Sequence, residues 1–210
     1  MNIHSMTKKE PLTVVLGNGS YPTHEVPLQL LQSASFLLCC DGAVNQLTAH
    51  GVTPDFIIGD GDSIAPELKQ RYADRFLQVA DQETNDQTKA MNYLMQKGVQ
   101  RVALVGATGG REDHTLGNVS LLMDYLRQGM EVRMFTDTGV FIPARGETLL
   151  EVEPGTQISI FRFDATSLSA EGLKYPLYDF TEWWQGTLNE VVEPQVTFRG
   201  EGDYLLFITY

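Results

Sequence analysis

The chain has 210 residues, with 15 Lys+Arg against 27 Asp+Glu, a formal charge of −12, and 42% hydrophobic residues. This is the composition of a globular protein large enough to bury a core without disulfide or metal staples. The charge excludes a reader of phosphate backbones and a protein that docks on anionic lipid, because both need a basic surface.

Short apolar runs at 13–16, 36–40, 56–58, 76–79, 101–105 and 132–135 read as strands. They are continuous rather than alternating, the pattern of strands buried on both faces in a parallel sheet. Helical spacing fills the gaps at 26–32, 43–50, 86–97 and 113–128, with Gly51, Gly98 and Gly129 just past the last three. The last of these helices carries Leu116, Val119, Leu122, Met123 and Leu126 on one side. Strand–helix alternation with glycine stops predicts a doubly wound, mostly parallel, Rossmann-like α/β domain over 1–143. Beyond about Phe141 helical periodicity ends, and 157–163 alternates strictly, as a half-buried antiparallel strand does. Further strands are expected at 190–192, 195–198 and 204–208, giving a small antiparallel β-sandwich over 144–210.

The two cysteines, Cys39 and Cys40, are adjacent and offer no disulfide framework, and no Cys or His spacing suits zinc. The first ten residues lack an apolar signal core, and no apolar run is long enough to span a membrane. A cytoplasmic location is expected. Residues 41–86 carry a net −6 and residues 144–210 a net −7. The second excess is scattered glutamate, read as a solvated face. The first sits in turns at strand ends, where open α/β sheets bind ligands.

Gly17-Asn18-Gly19 follows the first strand, Asp41-Gly42 the second and Gly59-Asp60-Gly61-Asp62-Ser63 the third. The loop ending at Asp86 follows the fourth, and Gly106 to His114 the fifth. A single strand-end Asp can simply cap a helix or hold a turn. Four such aspartates on one edge of a sheet ask for more. Asp60, Asp62 and Asp86, with Asp41 close by, form an oxygen-rich set suited to Mg²⁺, which binds through carboxylates together with substrate phosphates. The acidity therefore points to a phosphate-bearing substrate. Opposite this set, the backbone of Gly109 and Gly110 and the following helix N-terminus favour an anion, and Arg111 supplies a charge-assisted phosphate ligand. Gly17, Thr108, Asp113, His114 and Asn118 complete the candidate nucleotide set, with Asp113 alternatively only capping the helix. Lys89 is a further candidate, on a helix face where a lysine is ordinarily solvated. No P-loop, complete dinucleotide fingerprint or Gly-x-Ser-x-Gly elbow is present.

In order, Asp41-Gly42-Ala43, the run from Pro54 through Ser63, Asn85-Asp86-Gln87-Thr88-Lys89-Ala90 and the run from Gly106 to Asn118 resemble the thiamine pyrophosphokinase family. The segments from Gly172 to Leu177 and from Gly186 to Glu190 resemble the thiamine side of that family. The sequence departs from the family pattern where Asn85 replaces a usual Thr, Gln87 an aromatic, Gly61 a larger residue and Leu188 a Ser. The resemblance implies transfer of a pyrophosphoryl group from ATP to thiamine, giving thiamine diphosphate and AMP, with Mg²⁺ at Asp60, Asp62 and Asp86. It implies ATP and thiamine as partners and a homodimer with sites at the subunit interface. Tyr175 is the candidate for stacking on the thiamine cation and Asn189 for hydrogen bonding to it. Trp183 and Trp184 are expected in core or interface. Two alternatives stay open: a same-fold pyrophosphokinase acting on another small alcohol such as a pterin, and a non-catalytic nucleotide or Mg²⁺ sensor.

Overall fold

The computed structural model describes residues 12–81 and 83–210; the N-terminal stretch read above as lacking a signal core lies outside them. The chain forms two compact units that divide between Asp137 and Thr138. The change of pattern expected near 143/144 falls inside a strand of the second unit, Gly139–Arg145.

In the first unit six parallel strands, β1 (Thr13–Leu16), β2 (Phe36–Cys40), β3 (Phe56–Gly59), β4 (Phe76–Gln78), β5 (Arg101–Val105) and β6 (Glu131–Phe135), stand in the order β6-β5-β1-β2-β3-β4. Successive connections run outward from β1 to one edge and then return to its other side at β5. The C-terminal ends of β1 and β5 therefore flank the point where strand order reverses, the crevice in which such sheets bind ligands. Val14, Val15, Leu38, Ile57 and Leu104 are buried, as expected for strands covered on both faces.

The helices are α1 (Glu25–Ser33), α2 (Ala43–Ala49), α3 (Pro66–Arg71), α4 (Asp86–Gln96) and α5 (Glu112–Arg127). Ala90, Met91 and Leu94 turn α4 onto the core, and Leu122, Met123 and Tyr125 do so for α5. Gly51, Gly98 and Gly129 adopt positive φ just beyond α2, α4 and α5, the backbone state that ends a helix. Leu116 corrects the expected stripe on α5, because it is 63% exposed. Helix α3 escapes the sequence pattern because it buries none of its residues; its signals are Pro66 in the first turn and Lys69 and Arg71 in the last.

The second unit is antiparallel. Strands β7 (Gly139–Arg145), β9 (Gln157–Arg162), β11 (Asn189–Glu190) and β13 (Asp203–Thr209) run in the order β11-β9-β13-β7. A second sheet has the order β10-β12-β8, built from β8 (Thr148–Glu151), β10 (Thr166–Glu171) and β12 (Gln195–Glu201). Ile158, Ile160, Leu206 and Ile208 from one sheet and Leu150, Leu168, Val196 and Phe198 from the other form the core. The expected alternation over β9 is present. Strands β8 and β10 are invisible in the sequence because each buries a single leucine; in β8 the adjacent Leu149 is exposed, so no alternation marks the strand.

One carboxylate fixes the approach to α1. Asp137 accepts from the Thr23 N–H (2.9 Å), the Thr23 hydroxyl (2.6 Å) and the His24 N–H (3.0 Å). Partial burial alone would raise its pKa, but these bonds outweigh burial and hold it below the ordinary value. A depressed pKa means that the stabilisation is complete above the ordinary Asp range and fades as pH falls through the depressed value. Asp137→Ala is expected to cost about 1–2 kcal/mol at neutral pH, discounted for solvent exposure. In urea titrations across pH, the gap to wild type should close below about pH 4. A gap that stays constant to low pH would remove the carboxylate's role.

Candidate active site

Strand β2 delivers Asp41, whose backbone lies in the left-handed region at φ 42°. That conformation costs a non-glycine residue about 1–2 kcal/mol. It turns the carboxylate toward the loop after β3, where Oδ1 accepts from the Gly61 N–H (2.8 Å) and Oδ2 from the Ser63 N–H (3.1 Å). Gly59 makes the approach possible, since a Cβ there would lie 2.6 Å from that of Asp41. Asp41 is buried and acts as a clamp on the loop. Within the loop, Asp60 accepts from the Asp62 N–H (3.1 Å) and Asp62 from the Ser63 hydroxyl (2.8 Å). One carboxylate oxygen each from Asp41, Asp60 and Asp62 lie within 4.8 Å of one another. A donor set made only of carboxylate oxygen fits a hard dication such as Mg²⁺ and does not favour a soft metal.

Asp86 stands in the first turn of α4 and lies outside that trio. Its Oδ1 is 3.0 Å from the ammonium of Lys89. Burial raises the Asp86 pKa against the Lys89 hydrogen bond and charge, and the charges of Asp41 and Asp60 push it further up. Lys89 is not a solvated lysine: its side chain is 5% exposed. A buried ammonium needs anions around it. Asp86 is its carboxylate partner, and both residues line the cavity described below.

On the other side the two glycine loops join. The N–H groups of Gly17, Gly19 and Ser20 donate to Val105, Gly106 and Thr108 at 2.8, 2.8 and 2.9 Å, and the Ser20 hydroxyl donates to Gly109 at 2.6 Å. A Cβ at Gly19 would lie 2.4 Å from the Thr108 oxygen, and one at Gly17 would lie 2.9 Å from the Gly106 oxygen. The glycines are required by contact between the loops, and the amides of Gly17 and Gly19 are committed there rather than to a ligand. Arg111 occupies the N-cap position of α5 without capping it. Asp113 grips the guanidinium through both oxygens, at 3.1 and 2.5 Å, and its Oδ1 also accepts from the His114 N–H of the first turn at 2.9 Å; the Arg111 pairing above all holds its pKa down at about 2.

These loops enclose a cavity of about 470 Å³ within the first unit. Of the expected residues, Gly17, Asp60, Asp86, Lys89, Gly110, Arg111, His114 and Asn118 line it. Asp41, Asp62, Thr108, Gly109 and Asp113 stand behind or beside the lining and organise it. The structure adds Asn18, Ser63, Asp81, Thr84 and Thr115 to the wall. Asp81 ties down its loop by accepting from Thr84 (2.5 Å) and the Glu83 N–H (2.9 Å). Asp81, Asn18 and Ser63 belong to strand-end loops noted in the sequence, whereas Thr84 and Thr115 carried no distinguishing signal of their own.

In the second unit, the Tyr175 ring is 54% exposed, with the Lys174 ammonium 5.7 Å from its centroid. Asn189 is buried, and its amide holds the backbone of Tyr175 in both directions, donating at 2.8 Å and accepting at 3.1 Å. Asn189 thus positions Tyr175 rather than presenting an uncommitted amide. Leu188 is exposed at positive φ (60°). Neither tryptophan is a core residue: Trp184 is 71% exposed, and Trp183 lies half-open against Phe161 and Phe163.

The chain matches the thiamin pyrophosphokinase catalytic domain over residues 28–134 and the thiamin pyrophosphokinase substrate-binding domain over residues 139–207. It is 31% identical over 180 residues to the thiamine pyrophosphokinase of Bacillus subtilis, covering 80% of this chain and 83% of that one. It is 28% identical over 241 residues to thiamine pyrophosphokinase 2 of Oryza sativa, covering 98% and 88%. Among solved structures, yeast thiamin pyrophosphokinase superposes with a TM-score of 0.82 at 17% identity, covering all of this chain and 90% of the other, which shows the shared fold. With both halves matched in order, the chain belongs to the thiamin pyrophosphokinase family.

Proposed function

We propose that the chain catalyses transfer of the terminal pyrophosphoryl group of ATP to the hydroxyl of thiamine, giving thiamine diphosphate and AMP. The observation that carries this reading is one cavity with carboxylates on one wall and an anion-adapted helix start with Arg111 on the other. The names of the relatives support the same reading.

In this reading Asp60 and Asp62, backed by Asp41 and faced by Asp86, would hold Mg²⁺, which neutralises phosphate charge when bound. Arg111, Lys89 and the backbone at Gly110 bind the phosphates, and His114 reaches the nucleotide from the first turn of α5. The thiamine hydroxyl oxygen forms a bond to the β-phosphorus. The bond from that phosphorus to the bridging oxygen breaks, and its electron pair leaves on AMP. A carboxylate takes the hydroxyl proton. Asp41 is unsuited to that step because both its oxygens accept backbone N–H groups, whereas Asp60 and Asp86 reach the cavity. Catalysis is then positioning and charge compensation. Tyr175 offers a face for the cationic rings of thiamine. The reading includes a cytoplasmic location, supported by the free thiols of Cys39 and Cys40. It also includes a homodimer with sites at the subunit interface, supported by exposed Tyr175, Trp183 and Trp184.

Incubation with ATP, Mg²⁺ and thiamine is expected to yield AMP and thiamine diphosphate in equal amounts. Release of ADP, or AMP formed only with a pterin alcohol, would overturn the assignment. Asp62→Asn should lower turnover at least about a hundredfold while keeping the wild-type unfolding midpoint. Near-normal turnover in that variant would remove Asp62 from the metal site. Arg111→Ala should raise the KM for ATP about 10- to 100-fold, the loss of a charge-assisted pair, and Arg111→Lys should recover only part of it. An unchanged KM would place the guanidinium outside the nucleotide site.

A further inference from the structure

Two asparagines in the cavity wall make a chain of hydrogen bonds that the proposed chemistry does not use. The Thr88 N–H donates to Asn85 Oδ1 (2.9 Å), Asn85 Nδ2 donates to Asn118 Oδ1 (2.9 Å), and Asn118 Nδ2 donates to the Ala107 carbonyl (2.8 Å). The two ends fix the direction, since a backbone N–H only donates and a carbonyl only accepts. Each amide orientation is therefore set by chemistry. The chain begins in the first turn of α4, which carries Asp86 and Lys89, and ends inside the glycine loop before Arg111. A side branch reinforces it, with Gln87 Nε2 donating to the main-chain oxygen of Asn118 at 3.2 Å.

We infer that Asn85 and Asn118 are a positioning pair that sets the carboxylate–ammonium wall of the cavity against its phosphate-binding wall, and that Asn118 acts from there rather than as a nucleotide ligand. This rests on the proposed reaction, in which both walls hold the same nucleotide. The Asn118 amide has its acceptor and a donor committed within the wall. The link between the two amides is open to the cavity, so water competes for it and its net worth to folding is small. Its consequence lies in geometry, where an error of about 1 Å between two groups holding one substrate can cost about a hundredfold in rate.

Asn85→Ser separates positioning from capping. The serine hydroxyl still accepts from the Thr88 N–H and caps α4, but it cannot span to Asn118. We expect Asn85→Ser and Asn118→Ala each to lower kcat about 10- to 100-fold with the KM for ATP within about twofold of wild type. The double variant should be no worse than the poorer single one, because either change breaks the same chain. Amide hydrogen exchange across 106–110 should quicken several-fold in Asn85→Ser, although residue 85 is on another loop. Three results would overturn the inference: wild-type kcat in Asn85→Ser, additive losses in the double variant, or unchanged exchange across 106–110. A raised KM for ATP in Asn118→Ala alone would make Asn118 a direct ligand and would also overturn it. If the wild type fails to convert ATP and thiamine, the proposed reaction falls while the exchange measurement still decides the coupling.

Discussion

The cavity depends on the bond between one carboxylate and the backbone of the next loop. Asp41 accepts two N–H groups from the segment after β3 and takes a left-handed backbone to do so. Those two bonds act with the Asp62 N–H bond to Asp60 to hold the loop folded against the mutual repulsion of its carboxylates. The arrangement separates roles by burial. The buried carboxylate is satisfied by backbone and shapes the loop, and Asp60 and Asp62 stand more open beside it. Acidic residues that look equivalent in the sequence therefore do different work.

The opposite wall is organised by shape instead of charge. The loops after β1 and β5 meet because the sheet reverses its order there, and they are held by backbone bonds short enough to forbid side chains at Gly17 and Gly19. Arg111 projects from the edge of this rigid piece and is steadied by Asp113, which is itself two residues into the helix. The buried Lys89 adds positive charge from the acidic side. A phosphate chain entering the cavity would thus meet fixed cations from two directions.

Much of this was legible in the sequence, and the limits have physical causes. The parallel strands announced themselves because burial on both faces leaves uninterrupted apolar runs such as Val14-Val15-Leu16 and Phe56-Ile57-Ile58. The strand-end aspartates were legible because topology sends every parallel strand end to one edge. What the sequence could not supply was the division of labour: Asp41 as clamp, Asp113 as the partner of Arg111, Asn189 and Asn118 as struts, Lys89 as a buried charge. Asp41, Asn189 and Asn118 take their roles from backbone groups of other segments, and Asp113 and Lys89 from side-chain pairing and burial; all are properties of three-dimensional proximity. Leu116 misled because helical spacing cannot tell a leucine facing the sheet from one facing solvent at the open end of a helix. Strands β8 and β10 were hidden because a strand that buries one leucine carries almost no periodic signal.

The glycine contacts also bear on how this cavity can vary. Positions 17, 19, 106 and 109 are closed to any side chain, either because a Cβ there would meet neighbours within 3 Å or because of backbone conformation. Gly117 meets nothing within 4 Å, and Gly110 has its nearest neighbour at 3.6 Å. Heritable change in this region is therefore channelled. The floor formed by the interlocked loops is frozen, while the side chains of Asn18, Arg111, His114 and Thr115 stand on it outside that steric constraint, Arg111 and His114 being held instead by the roles proposed for them. Diversification among descendants of this chain would be read in those side chains and not in the turn that carries them.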